Sequence, residues 1–447
     1  MKSKTYRPSS NDPVWLEEGH RINEAVFCET FMFTHKIIFC NGFFFTEDGR
    51  VTDEMPLRSM IYEELRDYAS NNVARKVGNI LDLLKLSAQV DDFRPVTNCI
   101  YLANGTLYLD GSFQEGKLEV VHNRLPVRYN PEAAQPALWL RFLSDLLYPE
   151  DIPTVQEFIG YCLIPSNKGQ RMMVLKGRGG EGKSQIGVVL SRLFGTNMKD
   201  GSIGKISENR FARADLEHIL LCVDDDMRIE ALRQTNYVKS IVTAQGQMDL
   251  ERKGKQSYQG WMYARLLAFS NGDLQALYDR SDGFYRRQLV LTTRDKPADR
   301  VDDSDIAEKM AAEAEGIFLW AFEGLQRLVR NSFKFTESDR ARRNQELVRR
   351  DNNNFFDFME AEDYIRLKAD ACISSKDLYT IYKMWCEENN LVPLKARSFS
   401  DNLIANLKKY NLEHTNNILN AAGRRVWGYL GIEALIRPEP VPPSWGR

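Results

Sequence analysis

Gly177-Arg178-Gly179-Gly180-Glu181-Gly182-Lys183-Ser184 is the stretch whose reading decides the fold. It fits the pattern GxxxxGK[ST] of a phosphate-binding loop. A continuous apolar run, 172–175, precedes it, and an amphipathic helical pattern, 185–194, follows. Glycines at 177, 179, 180 and 182 let backbone N–H groups turn inward around phosphate oxygens, and the helix N-terminus adds positive potential there. Lys183 is placed to reach the β- and γ-phosphates and Ser184 to ligate Mg²⁺. Gly177, Gly179, Gly180, Glu181, Gly182, Lys183 and Ser184 are thus the expected nucleotide contacts.

Downstream, an apolar run over 219–223 ends in Asp224-Asp225-Asp226. A buried strand ending in carboxylates suits a bound cation, since unpaired buried acids are costly. Asp224 is expected on Mg²⁺ and Asp225 on the attacking water. Strand alternation points Asp226 the other way, although the assignment within the triplet can slip by one. A third apolar run, 264–270, ends in Asn271-Gly272, which places an amide where a γ-phosphate and a water meet. Arg286 and Arg287 precede a fourth run, 288–292, and suit an arginine finger supplied by a neighbouring subunit. Between acids and Asn271 lies a strand-like segment with a basic, glycine-containing tip. Its Arg252, Lys253 and Lys255 can grip a phosphate backbone. Lys239, on a helical pattern over 237–243, is a weaker candidate of the same kind.

Alternation of short apolar runs with helices over 166–330 predicts an α/β core around a parallel sheet. A region of unknown role, 1–95, comes first. It carries a helical pattern over 60–86 and an aromatic segment over 27–45. A helical and strand segment, 96–165, follows. In it Asn104-Gly105 reads as a hairpin turn, and 139–148 and 153–163 read as helices. Residues 331–354 are charge-dense and read as a solvated helix or linker. The last region, 355–447, holds helical patterns over 375–389 and 398–410, a hairpin near Gly423, and a Pro-rich tail at 438–443.

The chain has 447 residues with a formal net charge of -2, so nucleic-acid contact must come from local basic patches. Its seven cysteines form no CxxC pair, and its five histidines are scattered, which fits a reduced cytoplasmic protein without a zinc site of the usual spacing. The N-terminus lacks the apolar stretch of a signal peptide, and no run reaches the length of a membrane span. A GTPase is disfavoured, since Asn167-Lys168-Gly169-Gln170 lacks the aspartate of its base-recognition motif and precedes the loop. A nucleotide kinase would have no use for the basic hairpin.

The order of phosphate loop, acidic strand end, basic hairpin, strand-end Asn and paired Arg resembles superfamily 3 helicases, and more closely the poxvirus-type and phage/plasmid-type primase–helicase group. Asn104 to Asp110, Tyr129-Asn130-Pro131 and Phe158 to Pro165 resemble the segment before the motor in that group. Glu315 to Leu325 resembles its helical exit, and Leu378 to Asn389 its C-terminal winged-helix domain. The family often has Asn where Glu181 stands. The first 95 residues are too few for the primase domain of larger members, so no primer synthesis is expected and free-standing replication initiators of genomic islands and prophages are the implied relatives. The resemblance implies an AAA+-like ATPase that binds ATP and Mg²⁺, assembles as a homo-oligomeric ring, expected to be a hexamer, and unwinds DNA with 3′→5′ polarity for a mobile element. It implies contacts with single- and double-stranded DNA and with a separate primase or polymerase. Lys408, Lys409, Arg424 and Arg425, with Lys395 and Arg397, are the expected duplex contacts of a winged-helix-like end, with the 398–410 helix in the major groove. The competing reading is a helicase loader or ATP-driven switch that does not unwind.

Overall fold

The computed structural model describes residues 12–436 apart from 70, 92, 228–231, 233–234, 255, 272–281, 298–301, 352–353, 390, 392 and 420–422. The chain divides into two compact units, residues 1–345 and 346–447, and the boundary falls inside the charged helix Asp339–Asp351. Among the described residues no helix is long and apolar enough to cross a membrane.

The first unit is built on a five-stranded, all-parallel sheet. Its chain runs β1 (Met172–Lys176), α1 (Lys183–Phe194), β2 (Met198–Asp200), β3 (Leu221–Met227), an antiparallel hairpin β4 (Gln247–Leu250) and β5 (Tyr258–Trp261), β6 (Arg265–Ser270) and β7 (Gln288–Thr292). The sheet order is β2-β3-β6-β1-β7. Strands β1, β6 and β7 are almost wholly buried, as their unbroken apolar runs require of strands covered on both faces. Strand β2 was not expected. Its three residues, Met-Lys-Asp, carry no apolar run, and it forms because β3 offers it a free edge.

Strand β3 differs from expectation in a way that matters. It does not stop at Val223 but carries all three aspartates within it. Its pairing with β6 runs Asp224↔Ala268 and then Met227↔Ser270, three steps against two. That extra residue is a β-bulge, which breaks the alternation of side chains.

Two helices before the sheet, Ala137–Leu146 and Ile152–Tyr161, pack with the long helix Ala314–Arg330 into the same apolar core as the sheet. The crossing of the last two is set by glycines. A Cβ at Gly160 would lie 2.2 Å from the Ala321 carbonyl oxygen, and one at Gly324 would lie 2.5 Å from that of Gln156. Beside this contact the fully buried Glu157 takes Arg327 Nε at 2.6 Å and both Thr336 N and Oγ1, at 2.7 and 2.8 Å.

The N-terminal part corrects two expectations. The helical pattern over 60–86 is two helices, Met55–Leu65 and Val73–Ser87. Asn72 between them sits in the left-handed region at φ 54, a conformation asparagine tolerates and a helix cannot include. The expected Asn104-Gly105 turn is displaced by one residue. Leu102 pairs with Gly105, so the turn is Ala103-Asn104 and Gly105 opens the next strand. Its lack of a side chain serves packing, since a Cβ there would meet the Gln114 oxygen at 2.2 Å. Asn104 clamps the backbone of Tyr129 instead, through Nδ2 to its oxygen at 2.9 Å and Oδ1 from its N–H at 2.8 Å.

The second unit runs helix Phe355–Met359, strand Ile365–Ser374, helix Ser375–Glu388, helices Ala396–Ala405 and Leu407–Tyr410, and then strands Glu413–Leu419 and Arg425–Ala434. The last strand is central in an antiparallel three-stranded sheet. The expected single helix over 398–410 is broken at Asn406, whose φ of -114° and ψ of 12° lie outside the helical range. The Pro-rich tail lies outside the described residues.

Gly160→Ala and Gly324→Ala should each lower the urea midpoint of the first unit, by an amount worth about 1–3 kcal/mol, because the atoms nearest the added methyl belong to the backbone of the facing helix, which cannot give way cheaply. Gly78→Ala, with nothing within 4 Å of the added carbon, should stabilise or leave the midpoint in place.

Candidate nucleotide site and basic hairpin

The loop 177–182 joins β1 to α1 through left-handed glycines, with φ of 102°, 82° and 103° at Gly179, Gly180 and Gly182. Gly177 N–H donates to Ser270 O at 2.9 Å, which ties the loop to the end of β6. Because β6 lies between β1 and β3, the loop, Asn271 and the acids share one edge of the sheet. They line a cleft of ≈ 490 Å³ with Gly179–Ser184, Asp225, Asp226, Asn271, Asp302 and Asp303 among its walls. This is the carboxyl edge of a parallel sheet, where ligands of such folds bind.

Lys183 and Glu181 are both nearly buried, with 8% and 4% of their side chains exposed. Lys183 Nζ donates to Glu181 Oε2 at 2.8 Å and to Asn271 Oδ1 at 3.3 Å. Glu181 also accepts from the backbone N–H of Arg178, and from that of Gly179 at 2.9 and 3.0 Å. Burial opposes its charge, but the Lys183 ammonium and these N–H donors prevail and hold its carboxyl below the usual range. Ser184 is exposed to the cleft.

The acids fall differently from expectation. Asp224 is buried, and its Oδ2 accepts from Ile203 N–H at 2.7 Å, so it holds the start of the helix Ile203–Glu208. Burial pushes its carboxyl up. Asp225 and Asp226 are exposed and both line the cleft. The bulge in β3 brings the two to one side, so the expected pair, Asp224 and Asp225, is replaced at the cleft by Asp225 and Asp226.

Arg286 and Arg287 stand just before β7. Arg286 is exposed, whereas Arg287 is half-buried and its guanidinium donates to the Gly283 carbonyl. Since β7 is parallel to β1 with Gln288 opposite Met172 and Thr292 opposite Lys176, the pair sits at the edge away from the loop. The separation along the sheet is about 13 Å or more, four steps of ~3.3 Å.

The basic hairpin forms as expected, with Gly254 at φ 76° in its turn and Lys253 exposed at the tip. Lys255 lies outside the described residues. Arg252 turns inward rather than outward. Its guanidinium pairs with the fully buried Glu217 at 2.6 Å and lies over the rings of Phe43, 4.1 Å away, and Tyr258, 4.8 Å away. Tyr258 OH donates to the same Glu217 oxygen at 2.6 Å, and Arg50 Nη1 donates to the Glu217 carbonyl at 2.9 Å. The aromatic N-terminal segment and Glu217 thus brace the base of the hairpin. Nothing in the sequence marked Glu217, because Arg50, Arg252 and Tyr258, which it meets, lie more than thirty residues away. Lys239 is half-buried on the helix Asn236–Thr243.

In the second unit Lys395, Arg397, Lys408, Lys409, Arg424 and Arg425 are exposed. Lys409 Nζ lies 5.0 Å from the ring centres of Phe356 and Tyr410. Trp427, 57% exposed, lies against His414 with the ring centres 4.7 Å apart and the planes tilted by 30°, beside the two arginines. No group of His, Cys, Asp and Glu able to hold a metal by itself occurs among the described residues.

Comparison with known proteins gives two family matches. Residues 175–287, which hold the loop, acids, hairpin and Arg pair, match a family of unknown function, DUF5906. Residues 350–425, most of the second unit, match the family described as poxvirus D5 protein-like. The chain is therefore related to poxvirus D5-like proteins through that segment. No curated protein matches the sequence significantly. Among solved structures, the apo A form of the NrS-1 C-terminal region is 14% identical with a TM-score of 0.51, covering 95% of this chain and 100% of that one, which is a likeness of fold. Another structure of that region reaches a TM-score of 0.49 at 10% identity, covering 91% and 98%.

Asp224→Ala should cost about 1–3 kcal/mol in urea denaturation, because the buried Ile203 N–H loses its acceptor. Asp225→Ala and Asp226→Ala should leave the midpoint unchanged or raised, since each removes one of several crowded like charges. Equal losses at all three positions would contradict this division of roles.

Proposed function

We propose that the protein is an ATP-dependent DNA helicase of the superfamily 3 type, active in replication of a mobile element. The observation that carries this reading is the placement of Arg286. It is exposed, precedes β7, and stands a strand's length from its own phosphate loop. An arginine so placed is out of reach of its own loop, and its use at a neighbour's site would suit a closed ring of subunits, with six the number implied by the resemblance. The exposed Lys253 tip on a rigidly braced hairpin fits a part that moves with the nucleotide cycle and holds a DNA backbone. This favours a motor over a loader. The match of residues 350–425 to poxvirus D5-like proteins agrees with the same reading.

The donor set at the cleft fits ATP–Mg²⁺. The loop N–H groups and Lys183 would take the phosphates, and Ser184 with Asp225, which line the same cleft, would hold the metal. Mg²⁺ usually keeps waters and phosphate oxygens and takes only one or two protein ligands, so no closed metal cage is needed. When bound, it neutralises charge on the β- and γ-phosphate oxygens. Asp226 then orients the attacking water and accepts its proton, and Asn271, already hydrogen-bonded to Lys183, holds that water against the γ-phosphate. Arg286 of the adjacent subunit stabilises the charge that develops there.

The second unit has the order helix, strand, three helices, hairpin, with the last strand central, and a winged-helix-like reading of it rests on this arrangement together with the resemblance. Arg424, Arg425 and exposed Trp427 on its hairpin, with Lys408 and Lys409 on its short helix, form a basic and aromatic surface suited to DNA. The 3′→5′ polarity and a separate primase or polymerase partner rest on the resemblance alone, and the cytoplasmic setting on the cysteine pattern.

Side-by-side assays of ATP hydrolysis and fork unwinding test this. Wild type should show DNA-stimulated hydrolysis with unwinding, and Lys253→Ala with Lys255→Ala should keep hydrolysis and lose unwinding. Lys183→Ala and Arg286→Ala should each abolish hydrolysis, and mixing the two should restore part of it, because each supplies what the other lacks. Hydrolysis that ignores DNA, with no unwinding by wild type, would favour the loader.

A further inference from the structure

The nucleotide cradle carries its own anion. Glu181 lies inside the loop, and its carboxylate takes the backbone N–H groups of Arg178 and Gly179 and the ammonium of Lys183. These are the donors that the proposed site would offer to phosphate oxygens. A carboxylate presents two anionic oxygens to them much as a phosphate does. The fit is close. A Cβ on Gly177 would lie 2.5 Å from Lys183 Nζ and 2.8 Å from Glu181 Oε1, so only glycine lets ammonium and carboxylate meet over the loop. Both side chains are nearly buried, so water screens the pair little.

We infer that Glu181 is an affinity-determining residue of this site, an internal stand-in for phosphate that the nucleotide must displace. This rests on the nucleotide-site reading above and deepens it. Phosphate oxygens and the Glu181 carboxylate compete for one set of donors, so apparent affinity falls by the fraction of molecules in which the cradle is open. The displaced side chain has somewhere to go. On the other flank of Glu181 lies a second cleft of ≈ 220 Å³, lined by Arg294 and Lys296 as well as Asp145 and Asp295. In the absence of nucleotide the carboxylate gives the buried Lys183 ammonium, whose other partner among the described residues is the neutral amide of Asn271, an anionic partner and gives the loop N–H groups an acceptor.

Two explanations of a Glu181 effect are separable. A carboxylate that merely repels phosphate by its charge acts wherever it sits nearby. One that occupies the cradle must reach it. Glu181→Asp keeps the charge and shortens the reach by one carbon, and Glu181→Gln keeps the shape and removes the charge.

The test is the equilibrium binding of a fluorescent N-methylanthraniloyl ATP with Mg²⁺ to the full chain, together with stopped-flow association, for wild type, Glu181→Asp, Glu181→Gln, Glu181→Ala and Lys183→Ala. We expect about 10–100-fold tighter binding for the Gln, Ala and Asp variants, the span of an open fraction of roughly 1–10% in wild type. We expect the association rate of wild type to level off at high nucleotide, limited by opening of the loop, and that plateau to vanish in Glu181→Ala. Wild-type binding that Lys183→Ala removes, with Glu181→Ala no tighter than wild type, overturns the inference while the nucleotide site stands. Tighter binding by Gln and Ala but not by Asp overturns it in favour of charge repulsion. Failure of every protein to bind the probe overturns the nucleotide reading and the inference with it.

Discussion

The constraint on which the rest of the structure depends is the close approach of anion-seeking donors at the junction of β1 and α1. Three left-handed glycines turn the loop N–H groups to one point, and the buried Lys183 ammonium is aimed at the same place. Such a concentration of donors must be answered by negative charge. Within the chain Glu181 answers it, and the order of the sheet places further acids nearby. Strand β6 lies between β1 and β3, so Asn271 reaches Lys183 and the aspartates of β3 share the cleft. In a sheet where β1 and β3 were neighbours, the Asn would be elsewhere and the cleft would lose its middle wall.

The parallel direction of β7 has an equally general consequence. A residue before a strand and a residue after its parallel neighbour lie at opposite edges of the sheet. Arg286 and the phosphate loop stand in that relation, which no side-chain rearrangement within one subunit removes. The bracing of the hairpin follows a different logic. Arg252 is a cation whose charge is consumed by buried Glu217 and whose flat face is consumed by Phe43 and Tyr258. Its role is to fix the base of the hairpin so that the tip, with Lys253, has a defined position. Residues from the N-terminal region, Phe43 and Arg50, complete that anchorage and tie the region of previously unassigned role to the moving part of the proposed motor.

Second-unit packing obeys simpler rules. An aromatic core of Phe355, Phe358, Tyr382, Trp385 and Phe399 fills the space between helices and sheet. Charges are left outside, and the basic residues expected to meet DNA are among them. Their exposure is necessary for that role.

What the sequence determined by itself is what depends on local rules. Glycine spacing specified the loop, continuous apolar runs specified β1, β6 and β7, and Gly254 between strand-like residues specified the hairpin. The two-residue period also misled, because it assumed unbroken alternation along β3. Only pairing with β6 introduces the bulge that turns Asp225 and Asp226 together to the cleft and leaves Asp224 to hold Ile203. In the same way 60–86 kept its helical period across a break that Asn72 imposes, and Gly105 looked like a turn residue when its purpose was to make room for Gln114. Inward or outward orientation of Arg252 and the union of Glu181 with Lys183 were likewise set by tertiary structure. A side chain's partner is fixed by which strands lie side by side, and that order is a property of the folded sheet that no local pattern encodes.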